Sequence, residues 1–186
     1  MDIETPTLEA INTLTEIEDK FMALDEPDVK LTEQGDYATY VEQCRKVAVD
    51  TNSLAVEIYA LPRQGVDSEL REWVLELKEW YSSYADLYLE WATFYLKLQQ
   101  YDREHTGVWP VLEAALRGAT QFDIFGKTRE RQEAEKEILT DRDALDKATI
   151  KVNAQRELLM AQYDQLKREY CSRWNWESAE EQDTNT

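Results

Sequence analysis

Apolar residues recur every three or four positions along four long stretches of the chain, the spacing that places them on one face of an α-helix. In the first stretch, Thr5 offers a capping hydroxyl and Pro6 suits the first turn of a helix. Pro27 predicts that this helix ends shortly before it. The apolar face of the first helix consists of Leu8, Ile11, Leu14, Ile17, Phe21 and Leu24.

A second helix is predicted to begin near Thr32 and to end at Leu61, before Pro62 and Gly65. Its apolar positions alternate in steps of four and three, as supercoiled helix packing requires. They are Tyr40, Cys44, Val47, Thr51, Leu54, Ile58 and Leu61. This pattern is typical of a helix that packs in a bundle.

The third helix, capped by Asp67 or Ser68, carries nine aromatic residues between Glu72 and Tyr101. One apolar row follows steps of three and four from Leu70 onwards. A second row lies beside it, with members seven residues apart: Val74, Tyr81, Tyr88 and Tyr95. A helix with one partner usually keeps such a flanking row charged, whereas contact with several neighbours makes it apolar. The third helix is therefore predicted to lie in the core of a bundle.

Residues 107–126 hold three of the five glycines and predict a short helix at about 109–117 within the connection that reverses the chain. No glycine or proline interrupts the pattern from there to Trp176, so the last helix spans about 45 to 50 residues. One seam position of this helix is apolar: Ile138, Leu145, Val152, Leu159 and Leu166. The other is polar at first and apolar later: Arg142, Thr149, Arg156, Tyr163 and Tyr170. We expect residues 155–174 to pack in the core and residues 127–150 to form an exposed or polar-seamed extension.

Glycine and proline are scarce, with five and four residues, which favours long helices joined by few turns. The fold predicted from these patterns is all-α, an elongated antiparallel bundle of three to four long helices with coiled-coil-like packing. We expect one domain over residues 1–176. Residues 177–186 are acidic and polar and predict a disordered tail.

The formal charge of −18 is concentrated in residues 1–126, whereas residues 127–176 are nearly neutral. Without a basic face, direct binding to nucleic acid or to an anionic membrane surface is not expected. No apolar run is long enough to cross a bilayer and no signal peptide is recognisable, so we expect a cytoplasmic protein without membrane insertion. Cys44 and Cys171 lie on or next to apolar stripes and are expected to be buried, reduced thiols.

Signatures of catalysis and metal binding are missing from the sequence. A di-metal centre in a helical bundle needs a Glu-x-x-His motif on each of two helices. His105 is the single histidine, and Asp102 precedes it at that spacing. The residue is better explained as a solvated group near a helix C-terminus. Since no glycine-rich phosphate loop occurs either, we expect no enzyme activity, no metal and no cofactor.

Several residues stand out as anchors for a protein partner, because Trp and Arg are enriched in binding hot spots. They are Trp109, Phe122 and Phe125 in the connection, Trp174 and Trp176 at the end of the last helix, and Arg142 and Arg156 in its polar seam. The aromatic candidates have a second explanation, because the two ends of a bundle must also be sealed.

The leading hypothesis is a non-enzymatic helical module that binds another protein, as an adaptor, an assembly subunit or an inhibitor. A basic protein or a second copy of the chain is the expected partner. The first alternative is an acidic decoy that mimics nucleic acid and blocks the basic groove of a DNA- or RNA-binding protein. The second is a binder of small apolar or cationic ligands that uses Trp73, Trp80, Trp91 and the tyrosine row of the third helix, although the regular spacing of these rings favours core packing.

Overall fold

The structure is a computed structural model that describes residues 3–24, 27, 37–61, 65–104, 129–174 and 176. Within these residues it contains four helices and no strand, which confirms the predicted all-α bundle. The helices are α1 (Glu4–Met22), α2 (Tyr37–Tyr59), α3 (Ser68–Glu104) and α4 (Arg129–Trp174). Three predictions fall outside the described residues: the short helix at 109–117, the position of His105 and the tail over 177–186.

α3 is the central helix, and α4 runs antiparallel along it. Near the start of α3, Trp73 Nε1 donates a hydrogen bond of 2.8 Å to the carbonyl oxygen of Leu159. Further along, Trp91 Nε1 donates to Thr149 Oγ1 at 3.2 Å. Residue numbers rise on α3 as they fall on α4, so the two helices point in opposite directions.

α2 packs on another side of α3, also antiparallel. The ring of Tyr40 stacks on that of Tyr95 with 5.4 Å between centroids. At the far end of α2, Lys78 Nζ of α3 lies 5.0 Å from the centroid of the Tyr59 ring. α3 therefore has neighbours on more than one side, as its two apolar rows predict.

α1 covers one half of this assembly. At its start, the backbone N–H of Asp67 donates to Thr7 Oγ1 at 3.0 Å, which joins α1 to the beginning of α3. At its end, the Phe21 ring stands edge-on to Trp80 with 5.3 Å between centroids. α1 thus runs parallel to α3 and ends beside its middle. We call the part of the bundle that contains α1 the four-helix half, and the part beyond Tyr84 the three-helix half.

Each half has its own core of buried side chains. The core of the four-helix half includes Leu14, Ile17, Leu54, Ile58, Leu77, Trp80 and Tyr163. The core of the three-helix half includes Tyr40, Val41, Cys44, Leu87, Tyr95, Leu98, Ile138 and Leu145. The aromatic residues of α3 contribute to both, so the prediction that these rings belong mainly to a bundle core is correct.

The sequence predicts an exposed or polar-seamed extension over residues 127–150, and the described part of that range has both buried and exposed positions. Ile138 and Leu145 are buried in the core of the three-helix half. A polar position in this seam faces a polar group of α3, because the Tyr101 hydroxyl donates to the buried Glu135 carboxylate at 2.8 Å. A polar seam residue stays buried where the facing helix supplies a matching donor.

Packing of α1 on the bundle predicts that two of its leucines contribute very differently to the free energy of unfolding. Leu14 is fully buried, whereas Leu8 is exposed. Leu14→Ala is expected to lower the free energy of unfolding by about 2 to 5 kcal/mol through lost burial and a residual cavity. Leu8→Ala should change it by no more than about 0.5 kcal/mol. Urea unfolding of both variants measures the difference, and equal effects would contradict the placement of α1.

Candidate functional site

Trp174 and Trp176 lie at the outer end of the four-helix half. The Trp174 ring stacks on Tyr170 with 5.0 Å between centroids. Trp176 Nε1 donates to Glu4 Oε1 at 2.9 Å, which links the chain after α4 to the start of α1. Both indoles therefore help to close this end of the bundle, and their role as partner anchors stays a prediction. The other aromatic candidates lie outside the described residues: Trp109, Phe122 and Phe125.

Asp67 fastens three helices at the same end. Its Oδ1 accepts a 3.0 Å hydrogen bond from the backbone N–H of Glu69, so it caps α3 as the sequence predicts. The same oxygen accepts from the Tyr170 hydroxyl at 2.8 Å, and Oδ2 accepts from Arg173 Nη1 at 3.2 Å. Burial raises the pKa of Tyr170, and the nearby Asp67 carboxylate raises it further. This end of the bundle is thus closed by polar as well as aromatic contacts.

Arg156 anchors the last turns of α1. Its Nη2 donates to Glu18 Oε2 at 2.7 Å, and the Tyr81 hydroxyl donates to Glu18 Oε1 at 2.8 Å. The guanidinium also lies 4.9 Å from the centroid of the Phe21 ring. Burial raises the pKa of Tyr81, and the Glu18 carboxylate raises it further. We call these contacts of Glu18, Tyr81 and Arg156 the α1 clamp.

Arg142 lies in the three-helix half, in a different environment. Its guanidinium is 4.9 Å from the centroid of a Trp91 ring, and its Nε lies 3.0 and 2.9 Å from the two carboxylate oxygens of Asp146. The neighbouring Tyr95 is fully buried, and its hydroxyl has no hydrogen-bond partner among the described residues. Burial raises the pKa of Tyr95, as does the Cys44 thiol, whereas Arg142 lowers it.

A groove of about 470 Å³ opens in the three-helix half where α1 ends. Its floor is the ring-bearing face of α3 from Tyr84 to Tyr95, and Pro27 lies at its α1 end. One wall is formed by α2 through Cys44, and the other by α4. We call it the open groove. It is lined by Pro27, Cys44, Tyr84, Leu87, Tyr88, Trp91, Tyr95, Asp146, Thr149, Ile150 and Asn153.

The three tryptophans proposed for a ligand cavity are not brought together. Trp73 and Trp80 are buried in the four-helix half, where their indole N–H groups donate to backbone carbonyl oxygens of α4. Trp91 alone lines the open groove. Trp73 and Trp80 therefore pack the core, whereas Tyr88 and Tyr95 of the tyrosine row line the groove beside Trp91.

The outward face of α3 carries a row of exposed carboxylates, spaced about one per helical turn of 5.4 Å except between Glu79 and Asp86, where Ser83 interrupts the row. Its members are Glu69, Glu72, Glu76, Glu79, Asp86 and Glu90. The row ends near Lys97, whose Nζ lies 2.6 Å from carboxylate oxygens of both Glu137 and Asp141. The bundle thus presents a strongly acidic surface on α3, on a different part of the helix from the groove floor.

Among the residues that the structure describes, no group of three or more His, Cys, Asp or Glu side chains is arranged to hold a metal ion. Within the same residues, none of the helices has both the length and the apolar character to cross a membrane. Comparison of the chain with protein-family models, with curated proteins and with solved structures finds no match. The open groove and the acidic face are therefore interpreted from their own chemistry.

Two tyrosines of α3 are expected to respond differently to loss of the hydroxyl. Tyr81→Phe removes a donor from the buried side of Glu18 and should lower the free energy of unfolding by about 1 to 3 kcal/mol. Tyr95→Phe removes a buried hydroxyl without a described partner and should be neutral or stabilising. Chemical unfolding of both variants measures this contrast. A loss for Tyr95→Phe as large as that for Tyr81→Phe would show that the Tyr95 hydroxyl is already bonded in the isolated protein.

The Cys44 thiol at the groove wall is expected to resist modification. Burial raises its pKa to about 11 from an ordinary value of 9.0, so the reactive thiolate is scarce at pH 8. The contribution of this pKa difference to the free energy of unfolding is fully present below pH 9. It declines between pH 9 and 11, because the Cys44 thiol of the unfolded chain ionises before that of the folded protein. In the folded protein at pH 8, Ellman's reagent should modify half-buried Cys171 well before Cys44. In denaturant, the two thiols should react at equal rates. Faster reaction of Cys44 would contradict its burial.

Proposed function

We propose that the protein is a non-enzymatic helical module that binds another protein, and that the open groove receives an α-helix of this partner. The observation that supports it most is the unequal length of two helices. α1 fills one face of α3 in the four-helix half, and among the described residues no helix covers the same face from Tyr84 to Tyr95. An adaptor, an assembly subunit or an inhibitor would all use such a surface.

The groove has the composition of a helix-binding surface. Helix-in-groove recognition places apolar anchors, three and four residues apart, into pockets between partner helices. Tyr88 and Trp91 are half-buried and offer ring surface to such anchors, while Asp146 and Asn153 supply a polar rim. Aromatic residues surrounded by polar groups are typical of binding hot spots.

A small apolar ligand is a less favoured occupant. The volume of about 470 Å³ falls within the range of ligand pockets, but such pockets enclose most of their ligand, whereas this groove is open along the bundle. A small cation is favoured even less, since the Arg142 guanidinium already lies over the Trp91 ring.

A second candidate function, the nucleic-acid-mimicking decoy, is supported by the acidic face of α3. Its carboxylates form a row of negative charge, interrupted at Ser83, on a protein of formal charge −18, which favours association with a basic groove. Binding of this kind would weaken steeply with added salt, because it depends on exposed charges. Binding in the open groove depends largely on apolar contact and would be less sensitive.

Two substitutions on α4 separate these functions. Ile150 lines the open groove and is 69% exposed, whereas Leu158 is 68% exposed and does not line it. Ile150→Lys should therefore obstruct the groove, and Leu158→Lys is its matched control. Proteins retained by the tagged wild type and both variants from an extract of the source cells are identified by mass spectrometry. Each candidate is then purified and its affinity measured by calorimetry at low and moderate salt.

The proposal expects a partner that binds the wild type and Leu158→Lys equally, and Ile150→Lys about tenfold more weakly or worse. This difference should persist at moderate salt. Equal binding by all three proteins would contradict a role for the groove. If that binding is also lost with salt, the acidic decoy is the better explanation.

A further inference from the structure

The α1 clamp has a counterpart in the three-helix half. Tyr95 follows Tyr81 by fourteen residues on α3, and Arg142 precedes Arg156 by fourteen residues on α4. Because the two helices are antiparallel, both shifts run in the same direction along the bundle, by about 21 Å. Each half of the bundle therefore has a tyrosine of α3 and an arginine of α4 at equivalent positions.

The two pairs differ in what lies between them. In the α1 clamp, Tyr81 and Arg156 each bind one oxygen of the Glu18 carboxylate. In the three-helix half, none of the described residues supplies a carboxylate from a fourth helix between Tyr95 and Arg142. Arg142 is instead paired with Asp146 of its own helix, which is 47% exposed, and the buried Tyr95 hydroxyl is left without a described partner.

We propose that the open groove is a receptor for a carboxylate on the partner helix, which binds between Tyr95 and Arg142 as Glu18 binds between Tyr81 and Arg156. This inference rests on the proposed function and specifies the chemistry of the partner. A buried donor without an acceptor is costly, so a carboxylate that reaches Tyr95 removes that cost and gains a charge-assisted hydrogen bond. The Arg142–Asp146 contact is half-exposed, with side-chain exposures of 25% and 47%, and solvent weakens a pair of this kind.

The position of α1 also predicts the sequence pattern of the partner helix. Before Glu18, the residues of α1 at positions −7, −4 and −1 are apolar and buried, and an aromatic residue follows at +3. These are Ile11, Leu14, Ile17 and Phe21. Fourteen residues further along α3, the side chains that line the groove are again large and mostly apolar, namely Tyr84, Leu87 and Trp91. The same pattern therefore suits a helix in the open groove that runs parallel to α3.

Charge elsewhere on the partner helix is expected to be positive. The chain has a formal charge of −18, which disfavours approach of an acidic segment. The recognised element is therefore a basic amphipathic helix with one carboxylate on its apolar side, and not a generally acidic peptide. This combination separates the proposal from the decoy, which requires basic groups alone.

The test uses the α1 sequence as a probe for the full-length protein. The peptide spans residues 3–24, with blocked ends and a fluorophore, and its exposed acids are replaced by E9K, E16K and D19K to remove the net negative charge. Fluorescence anisotropy measures its affinity for the wild type, Tyr95→Phe and Arg142→Gln. A second peptide with Glu18→Gln completes a double-mutant cycle with Tyr95→Phe.

The expected result is saturable binding that weakens about tenfold with Tyr95→Phe, with Arg142→Gln, or with Glu18→Gln in the peptide. In the cycle, Tyr95→Phe should have little further effect on the Glu18→Gln peptide, because the contact is already lost. Since Tyr95→Phe removes no described hydrogen bond, a folding defect is not expected. Circular dichroism and the melting temperature of each variant confirm that the comparison is between folded proteins.

Displacement of the protein's own α1 is tested with Tyr81→Phe. The proposal expects the same peptide affinity for this variant as for the wild type. The protein's own α1 is tethered, so its high effective concentration keeps the peptide from taking its place. Tighter binding to Tyr81→Phe would place the peptide at the α1 clamp and overturn the proposal. Equal affinities for both peptides, or no binding, would also overturn it, while the comparison of Ile150→Lys with Leu158→Lys still decides the proposed function.

Self-association of the wild type that Tyr95→Phe abolishes would identify a second copy as the occupant and overturn the partner proposed here.

Discussion

Burial of the two apolar rows of α3 is the constraint on which the rest of the structure depends. Over its 37 residues, α3 presents rings and leucines to more than one side, so it needs several neighbours along its whole length. α2 and α4 extend along both halves, but α1 has 19 residues and ends beside Tyr84. The open groove is the direct result of this mismatch between the length of α3 and the length of α1.

Several polar groups inside the bundle are bonded to a specific group on a facing helix, which gives the helices a defined arrangement. Indole N–H groups of Trp73 and Trp80 bind carbonyl oxygens of α4, and the Tyr101 hydroxyl binds the buried Glu135 carboxylate. Buried polar groups are costly unless they are bonded, so an incorrect alignment of these helices would be penalised. The Tyr95 hydroxyl differs from these groups because no described residue accepts from it, and Thr51 Oγ1 and Arg156 Nε are likewise buried without a described partner.

Most of the fold is predictable from the sequence, whereas the groove is not. The spacing of apolar residues places all four helices, and the second tyrosine row correctly indicates that α3 has several neighbours. The apolar spacing alone left open whether residues 127–150 are exposed or polar-seamed, because it does not show that Glu135 meets a donor from α3. The groove depends on where α1 ends relative to α3, which heptads do not specify. The equal spacing of Tyr81 and Tyr95, and of Arg142 and Arg156, is visible in the sequence but acquires meaning only in the antiparallel pair.

The hydrogen bonds between α3 and α4 also determine how the bundle responds to force. The indoles of Trp73 and Trp80 bind carbonyl oxygens that are seven residues apart on α4. If α4 slid along α3 by less than one heptad, both hydrogen bonds would be broken. Unique pairs, such as Tyr101 with Glu135, exclude sliding by a whole heptad. α4, about 69 Å long, is therefore held in a single alignment along α3. Load applied at the open groove would be transmitted along it to the aromatic end at Trp174, without the sliding by which some coiled coils transmit signals.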